Sequence, residues 1–123
     1  MSAVRSFRDL EVYKKLFSLH LEMHELSLTF PRFELYELGS QLRRASNSAP
    51  ANIAEGWNNK HTNIYIEGVN RALSEVHEIE HHLDVAVAKK YIVREKHSYF
   101  ITKYDECGKM LKGLIRSLEN MRQ

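Results

Sequence analysis

The chain has 123 residues, of which 43% are hydrophobic, and its 18 basic and 16 acidic side chains give a net charge of +2. This length is typical of a single domain, residues 1–123, and allows a core that buries roughly two thirds of the unfolded surface. One cysteine excludes an internal disulfide, the N-terminus has no apolar run, and the longest aliphatic run is residues 85–88, so the composition argues against a secreted or membrane-spanning protein and predicts a cytoplasmic one.

The first predicted helix follows a capping signal, because Ser6 stands three residues before Asp9. Two rows of apolar residues then continue at helical spacing to about Thr29, where Phe30 and Pro31 end the helix. One row contains Leu10, Tyr13, Phe17, Leu21 and Leu28, and the other contains Val12, Leu16, Leu19, Met23 and Leu26. So wide an apolar face predicts a helix that contacts several neighbours.

The second predicted helix covers residues 33–57 and contains Pro50. Its apolar row contains Leu38, Leu42, Ala45, Ala49 and Ile53, and its polar stripe contains Gln41, Arg44, Ser48, Asn52 and Glu55. Because both rows keep their phase beyond Pro50, we predict a kinked helix and not a break. The polar stripe has two interpretations: a solvated flank, or a polar contact with another helix or another subunit that fixes register.

The third predicted helix starts with Thr62 as its N-cap and runs to about Lys90, and the fourth covers residues 95–121. Their apolar rows are Tyr65, Val69, Ala72, Val76, Ile79, Leu83 and Ala86 in the third, and Phe100, Tyr104, Cys107, Leu111, Leu114, Leu118 and Met121 in the fourth. Four helices joined by short turns predict an all-α fold, an up-down-up-down antiparallel four-helix bundle.

Basic residues concentrate around the third predicted turn, at Lys89, Lys90, Arg94 and Lys96. In an up-down bundle the first and third turns share an end, which adds Arg32. The ordinary interpretation is a solvated turn whose lysines complement the C-terminus of the third helix. The functional one is an RNA-binding rim in which repeated phosphate contacts combine across an oligomer and Tyr91 supplies stacking. The small net charge does not decide between them.

A metal-binding pattern occurs in the third predicted helix, where His77, Glu78 and His81 match H-E-x-x-H. The extended zinc-protease motif requires Gly and His where this chain has Asp84 and Val87. A di-iron centre would need a second Glu-x-x-His motif beside Glu78-x-x-His81. We therefore predict no metal, no cofactor and no enzyme activity, with a zinc hydrolase as a remote alternative.

The central segment carries a family resemblance. Residues 41–45, Ser48 and residues 50–56 resemble the signature of a bacterial four-helix-bundle family named for reading frames in the intervening sequences of 23S ribosomal RNA genes. Weaker similarities extend it over nearly the whole chain, at residues 7–10, 30–31, 34–38, 72–75 and 78–80 and at Leu83. The resemblance implies a cytoplasmic homo-oligomer, most often a ring of five bundles, and an association with ribosomal RNA intervening sequences.

Two functions follow as expectations. The resemblance also implies nucleic-acid binding, since a distantly similar bundle acts with the reverse transcriptase of diversity-generating retroelements and binds nucleic acid. We therefore predict a non-enzymatic, oligomeric module that binds RNA, with a protein–protein interaction scaffold without nucleic acid as the alternative. Cys107 is interpreted as a small buried core residue and not as a nucleophile.

Overall fold

The computed structural model describes residues 4–122, and four α-helices make up most of that part of the chain. They are α1 (Glu11–Ser27), α2 (Leu38–Gly56), α3 (Thr62–Ala88) and α4 (Arg94–Met121). Two short 3-10 helices, Phe7–Asp9 and Arg32–Glu34, precede α1 and α2. Residues 4–122 contain no strand, and each helix packs against its neighbours in sequence while α1 also contacts α4. The predicted all-α four-helix bundle is confirmed.

One core runs through the bundle, and the apolar rows read from the sequence supply most of it. All predicted residues of the α2 and α3 rows are buried. In α4 the buried residues of the row are Phe100, Tyr104, Cys107, Leu111 and Leu118, whereas Met121 near the C-terminus is exposed. Pro50 is buried inside α2, so the helix continues through it, and the kink stays a prediction.

Several predicted helix ends were wrong. The second helix begins at Leu38 and not at residue 33, because a 3-10 helix and a turn occupy residues 32–37. The predicted capping box exists, since Ser6 and Asp9 exchange both hydrogen bonds, but it caps the 3-10 helix before α1. The N-cap of α3 is His61 and not Thr62, and it provides no side-chain hydrogen bond.

Contacts between distant segments fix which connections share an end of the bundle. The hydroxyl of Tyr91, after α3, donates to Glu34, before α2, at 2.7 Å. At the other end, Arg122 donates to Asn63 at 2.7 Å, so the C-terminus of α4 lies beside the start of α3. Both contacts agree with the predicted up-down order of four helices, which stays a prediction.

The helices α2 and α3 approach each other most closely at two glycines. A methyl group added to Gly68 would lie 2.7 Å from the Asn52 carbonyl oxygen and 3.4 Å from the Gly56 α-carbon. A methyl group on Gly56 would lie 3.0 Å from the carbonyl oxygen of Ile64. The absence of side chains at these positions therefore permits the close packing of the two helices.

None of the helices described for residues 4–122 has the length and hydrophobicity that crossing a bilayer requires.

Candidate nucleic-acid interface

Glu34 binds the first connection of the bundle, between α1 and α2, to the third, between α3 and α4. Its side chain is only 3% exposed, and it accepts hydrogen bonds from the Tyr91 hydroxyl at 2.7 Å and from Lys89 Nζ at 3.4 Å. The Leu38 amide donates to its other carboxylate oxygen. These donors, led by the Tyr91 hydroxyl, lower the pKa of Glu34 although burial acts in the opposite direction. An ionised carboxylate therefore holds residues 32–34 against the third connection.

The third connection begins with a tight turn at the C-terminus of α3. This turn places Lys90 in the left-handed region of backbone dihedral angles. The Tyr91 amide donates to the Ala86 carbonyl at 2.9 Å and the Lys90 amide to the Val87 carbonyl at 3.0 Å, the pattern of a Schellman motif. Lys90 has a φ of 63°, a conformation that costs a residue with a side chain about 1–2 kcal/mol. The motif presents the exposed Lys89 and Lys90 side by side at the turn.

The five predicted basic residues are exposed at or beside this end of the bundle, and we call them the basic end: Arg32, Lys89, Lys90, Arg94 and Lys96. The contacts of Glu34 bring the segment of Arg32 next to that of Lys89. Lys89 is partly neutralised by its ion pair with Glu34. Within residues 4–122, the other four side chains form no ion pair. Their charges are thus available to a ligand.

The aromatic residue expected to stack on a ligand is engaged within the protein. The Tyr91 ring packs against Phe30, with ring centroids 5.6 Å apart, Lys89 Nζ lies 5.9 Å from its centroid, and its hydroxyl binds Glu34. Two other aromatic side chains are exposed instead: Phe33 at 71% and Tyr36 at 85%. Both lie out of phase with the buried row of α2, which is the sequence signal that could have identified them.

The polar stripe of α2 makes its contacts within this chain. Arg44 donates to Glu75 of α3 at 3.3 Å and also to Glu78. Asn52 Nδ2 donates to the Ser48 carbonyl at 2.9 Å and to Ser48 Oγ at 3.1 Å. Gln41 and Glu55, the outer members of the stripe, are exposed. The stripe therefore supplies a polar contact between α2 and α3 at Arg44, and a contact with another subunit stays a prediction.

The H-E-x-x-H segment does not assemble a metal site among the described residues. Its Glu78 carboxylate is hydrogen-bonded by Arg44 and by His82 Nε2, the latter at 3.0 Å. Burial acts to raise the pKa of Glu78, but these two donors hold it below its usual value. His77 and His81 are exposed, and residues 4–122 contain no group of three side chains placed to hold a metal ion. Sequence reasoning missed His82, which is buried.

Glu80 of α3 and Asp105 of α4 form a second polar contact that sequence reasoning missed. One Glu80 carboxylate oxygen is buried and has no hydrogen-bond partner within residues 4–122. Burial, followed by the nearby carboxylates of Asp105 and Asp84, raises the pKa of Glu80 to about 8. At neutral pH the Glu80 side chain is therefore largely protonated, which relieves the repulsion between the two acids.

Cys107 is buried in the core, as the sequence predicted. Burial, to which the Glu106 carboxylate adds, raises the pKa of its thiol to about 11. A nucleophilic cysteine needs an accessible thiolate, and this thiol is neither accessible nor ionised at neutral pH.

The α1 row that contains Phe17, Leu21 and Leu28 is largely exposed, whereas the row that contains Leu16 and Met23 is buried. Phe17, Leu21 and Leu28 are 49%, 54% and 52% exposed, although the sequence predicted that both rows would contact neighbouring helices. An open groove of about 840 Å³ lies beside this row, between α1 and α4. Its apolar lining includes Leu21, Leu26, Val93, Tyr99 and Phe100. Residues 4–122 leave this outward row largely uncovered, and we call it the α1 apolar face.

Comparison with known proteins identifies a protein family and a similar solved structure. The family model described as 23S rRNA-intervening sequence protein matches residues 8–113. The fold is similar to a crystal structure, at 1.70 Å resolution, of a protein with unknown function from the S23 ribosomal protein family of Bacteroides thetaiotaomicron. That similarity has a TM-score of 0.75 at 25% sequence identity and covers 85% of this chain and 95% of that one. No curated protein matches the chain significantly.

Proposed function

Because the chain belongs to the 23S rRNA-intervening sequence protein family, we propose that it is a non-enzymatic, cytoplasmic homo-oligomer that binds RNA through its basic end. The observation that carries the proposal is the basic end itself, where Glu34 joins two connections that both carry exposed basic side chains. The basic end matches a polyanion in charge, and phosphate contacts require no base sequence.

The α1 apolar face supports the oligomeric part of the proposal. Phe17, Leu21 and Leu28 are about half exposed, and large exposed apolar surfaces mark sites of association. A second copy that covers this face would also close the groove between α1 and α4. A ring of five bundles, which the family resemblance implies, would repeat the basic end around one rim. Weak phosphate contacts would then combine through their high effective concentration.

The assembly is tested by replacing one residue of the α1 apolar face. Leu21→Glu places a charge in the proposed contact, so we expect the mass measured by light scattering to fall from a pentamer towards the 14.4 kDa of one chain. Ile64→Glu is the matched control, because Ile64 is also an exposed aliphatic residue but lies on α3. Helical content measured by circular dichroism should be unchanged in both. A monomeric wild type at micromolar concentration would contradict the proposal.

RNA binding is tested by removing charge from the basic end and, separately, from elsewhere. The first variant is Lys89/Lys90/Arg94/Lys96→Ala, and the control is Lys60/Lys103/Lys109/Lys112→Ala, which removes the same charge from other exposed positions. We expect the first variant to lose at least roughly tenfold in affinity for labelled RNA at low salt, and the slope of log affinity against log salt to become shallower. The control should lose much less. Equal loss in both would show that net charge, and not this end, binds RNA.

A second candidate function is a protein-interaction scaffold without nucleic acid. The open groove between α1 and α4 favours it, because its apolar lining could accept a helix of a partner protein. The titration separates the two functions: if the wild type binds no RNA at low salt, the scaffold becomes the better proposal.

A further inference from the structure

Two aromatic side chains stand fully in solvent beside the basic end. Phe33 and Tyr36 are the most exposed aromatic residues described, at 71% and 85%. The charged residues Arg32 and Glu37 flank them in sequence. Aromatic side chains bury large apolar areas when they are enclosed, so two that remain open contribute little to the stability of this chain. Their position suggests a role in contacts outside the chain.

The segment that carries these rings is rigid. Its backbone continues in hydrogen bonds between residues three apart: the Glu34 amide donates to the Pro31 carbonyl at 2.8 Å, and the Glu37 amide donates to the Glu34 carbonyl at 3.1 Å. Phe33 lies in the 3-10 helix and Tyr36 in the turn that follows it, three residues apart and both exposed. Two hydrogen bonds fix the segment to the bundle. The Tyr91 hydroxyl donates to Glu34, and Arg43 donates to the Leu35 carbonyl at 2.6 Å. The backbone that carries the two rings is therefore fixed before any ligand arrives.

The charges around the rings identify the kind of ligand. Arg32 precedes Phe33 directly, and Glu34 holds Lys89 against the same segment. The exposed Lys90 follows Lys89 in sequence. Exposed aromatic rings next to basic side chains form the combination that binds single-stranded nucleic acid, because bases stack on the rings while the phosphates contact the cations. Bases within an uninterrupted duplex are already stacked and cannot reach such rings.

We propose that Phe33 and Tyr36 stack on unpaired bases, so that the RNA bound at the basic end is a single-stranded or loop segment and not a continuous duplex. This inference rests on the proposed RNA-binding function and adds the structure of the ligand to it. Because the backbone of this segment is already fixed, binding costs little backbone entropy, and the ordering cost is limited to the two side chains.

The test compares three ligands of equal phosphate number at low salt: a single-stranded RNA, a blunt RNA duplex and an abasic strand. The variant Phe33→Ala/Tyr36→Ala should lose roughly tenfold for each ring in affinity for single-stranded RNA. Its affinity for the duplex and the abasic strand should stay within about twofold of wild type. Ile64→Ala is the control, because Ile64 is an exposed large apolar residue on α3, outside the basic end and the groove between α1 and α4. Phe33→Trp/Tyr36→Trp should restore the affinity for single-stranded RNA.

The outcomes separate this inference from the function on which it rests. If the aromatic variant binds all three ligands like the wild type, the stacking proposal is wrong and RNA binding by charge stands. If wild type binds none of them, both are wrong. The third outcome concerns assembly: a variant that dissociates in light scattering would show that Phe33 and Tyr36 contact another copy of the chain, which also overturns stacking.

Discussion

The contact between α2 and α3 and the contact between α1 and α4 represent opposite ways of packing two helices. The first is closed: Gly56 and Gly68 bring the backbones together, and Arg44 bridges the outer edge to Glu75 and Glu78. The second is open, with a groove of about 840 Å³ between the helices and with the α1 apolar face left in solvent.

The difference follows from the size of the side chains at each contact. Small residues such as Ala45, Ala49 and Gly56 on α2 allow α3 to approach until little space is left. On α1 and α4, large residues such as Leu21 and Tyr99 line the open groove and expose their own apolar atoms. Among residues 4–122, one half of the bundle is therefore closed, whereas the other half exposes apolar surface.

The largest expected effect comes from adding one methyl group to the closed contact. In Gly68→Ala the new methyl would lie 2.7 Å from the Asn52 carbonyl oxygen, a backbone atom that cannot move alone. We expect the free energy of unfolding to fall by about 2–3 kcal/mol, since overpacking exceeds the helix-propensity gain of alanine. Urea unfolding followed by circular dichroism measures it.

The control for this prediction is a second glycine that lies in a helix but has free space around it. Gly113→Ala on α4 places its methyl group where no heavy atom lies within 4 Å, so we expect stabilisation by about 0.5–1 kcal/mol. If Gly68→Ala stabilises the chain as Gly113→Ala does, the α2–α3 contact is less tightly closed than the geometry indicates.

A smaller effect should appear as a pH dependence at the contact between α3 and α4. The pKa of Glu80 is raised to about 8 in the folded state, from an ordinary value of 4.5. Between these values the folded chain keeps a proton that the unfolded chain releases, so the free energy of unfolding falls as the pH rises from about 5 to 8. Because Glu80 is only partly shielded from water, we expect a fall of about 1–2 kcal/mol and not the full value of the pKa difference.

Replacing the acid with its amide should remove this dependence. Glu80→Gln cannot ionise and can donate a hydrogen bond to Asp105, so its unfolding free energy should vary less with pH than that of wild type. Glu119→Gln, at an exposed position on α4, serves as the control and should keep the wild-type slope. A Glu80→Gln slope equal to that of wild type would mean that another group causes the dependence.

The smallest expected effect concerns the polar edge of the closed contact. Arg44→Ala removes the bridge from α2 to Glu75 and Glu78 of α3. Because the guanidinium is largely solvated, we expect a loss of about 0.5–1 kcal/mol. Arg71→Ala removes an ion pair to Glu67 within α3 itself and should cost less than about 0.5 kcal/mol. Thermal unfolding of both variants shows whether an ion pair between helices contributes more to the free energy of unfolding than one within a helix.

The sequence was sufficient for the fold because the rows of α2, α3 and α4 repeat without interruption, and helical spacing converts such rows directly into buried faces. It failed where a single long-range contact decides the local structure. The start of the second helix was placed at Phe33 because nothing nearby shows that Glu34 will be buried against Tyr91, 57 residues later. An isolated polar contact of this kind leaves no periodic pattern in the sequence from which it could be predicted.

The candidate site was predictable only in part for the same reason. Charge clusters are visible in sequence, and so Lys89, Lys90, Arg94 and Lys96 were identified, with Arg32 added by the order of the helices. The exposure of Phe33 and Tyr36 depends on the 3-10 helix before α2 and was not foreseen. On α1, the sequence showed two apolar rows but could not show that only one of them is covered within a single chain.

The buried state of Cys107 has a practical consequence for labelling the protein. It is the only cysteine in the sequence, and its thiol is enclosed, with a pKa raised to about 11. Maleimide reagents react with accessible thiolates, so the native thiol should react slowly under non-denaturing conditions. A cysteine introduced at an exposed position could then be coupled selectively to a fluorophore without first removing Cys107. The chain is thereby suited to fluorescence experiments that count its copies or follow its encounters one molecule at a time.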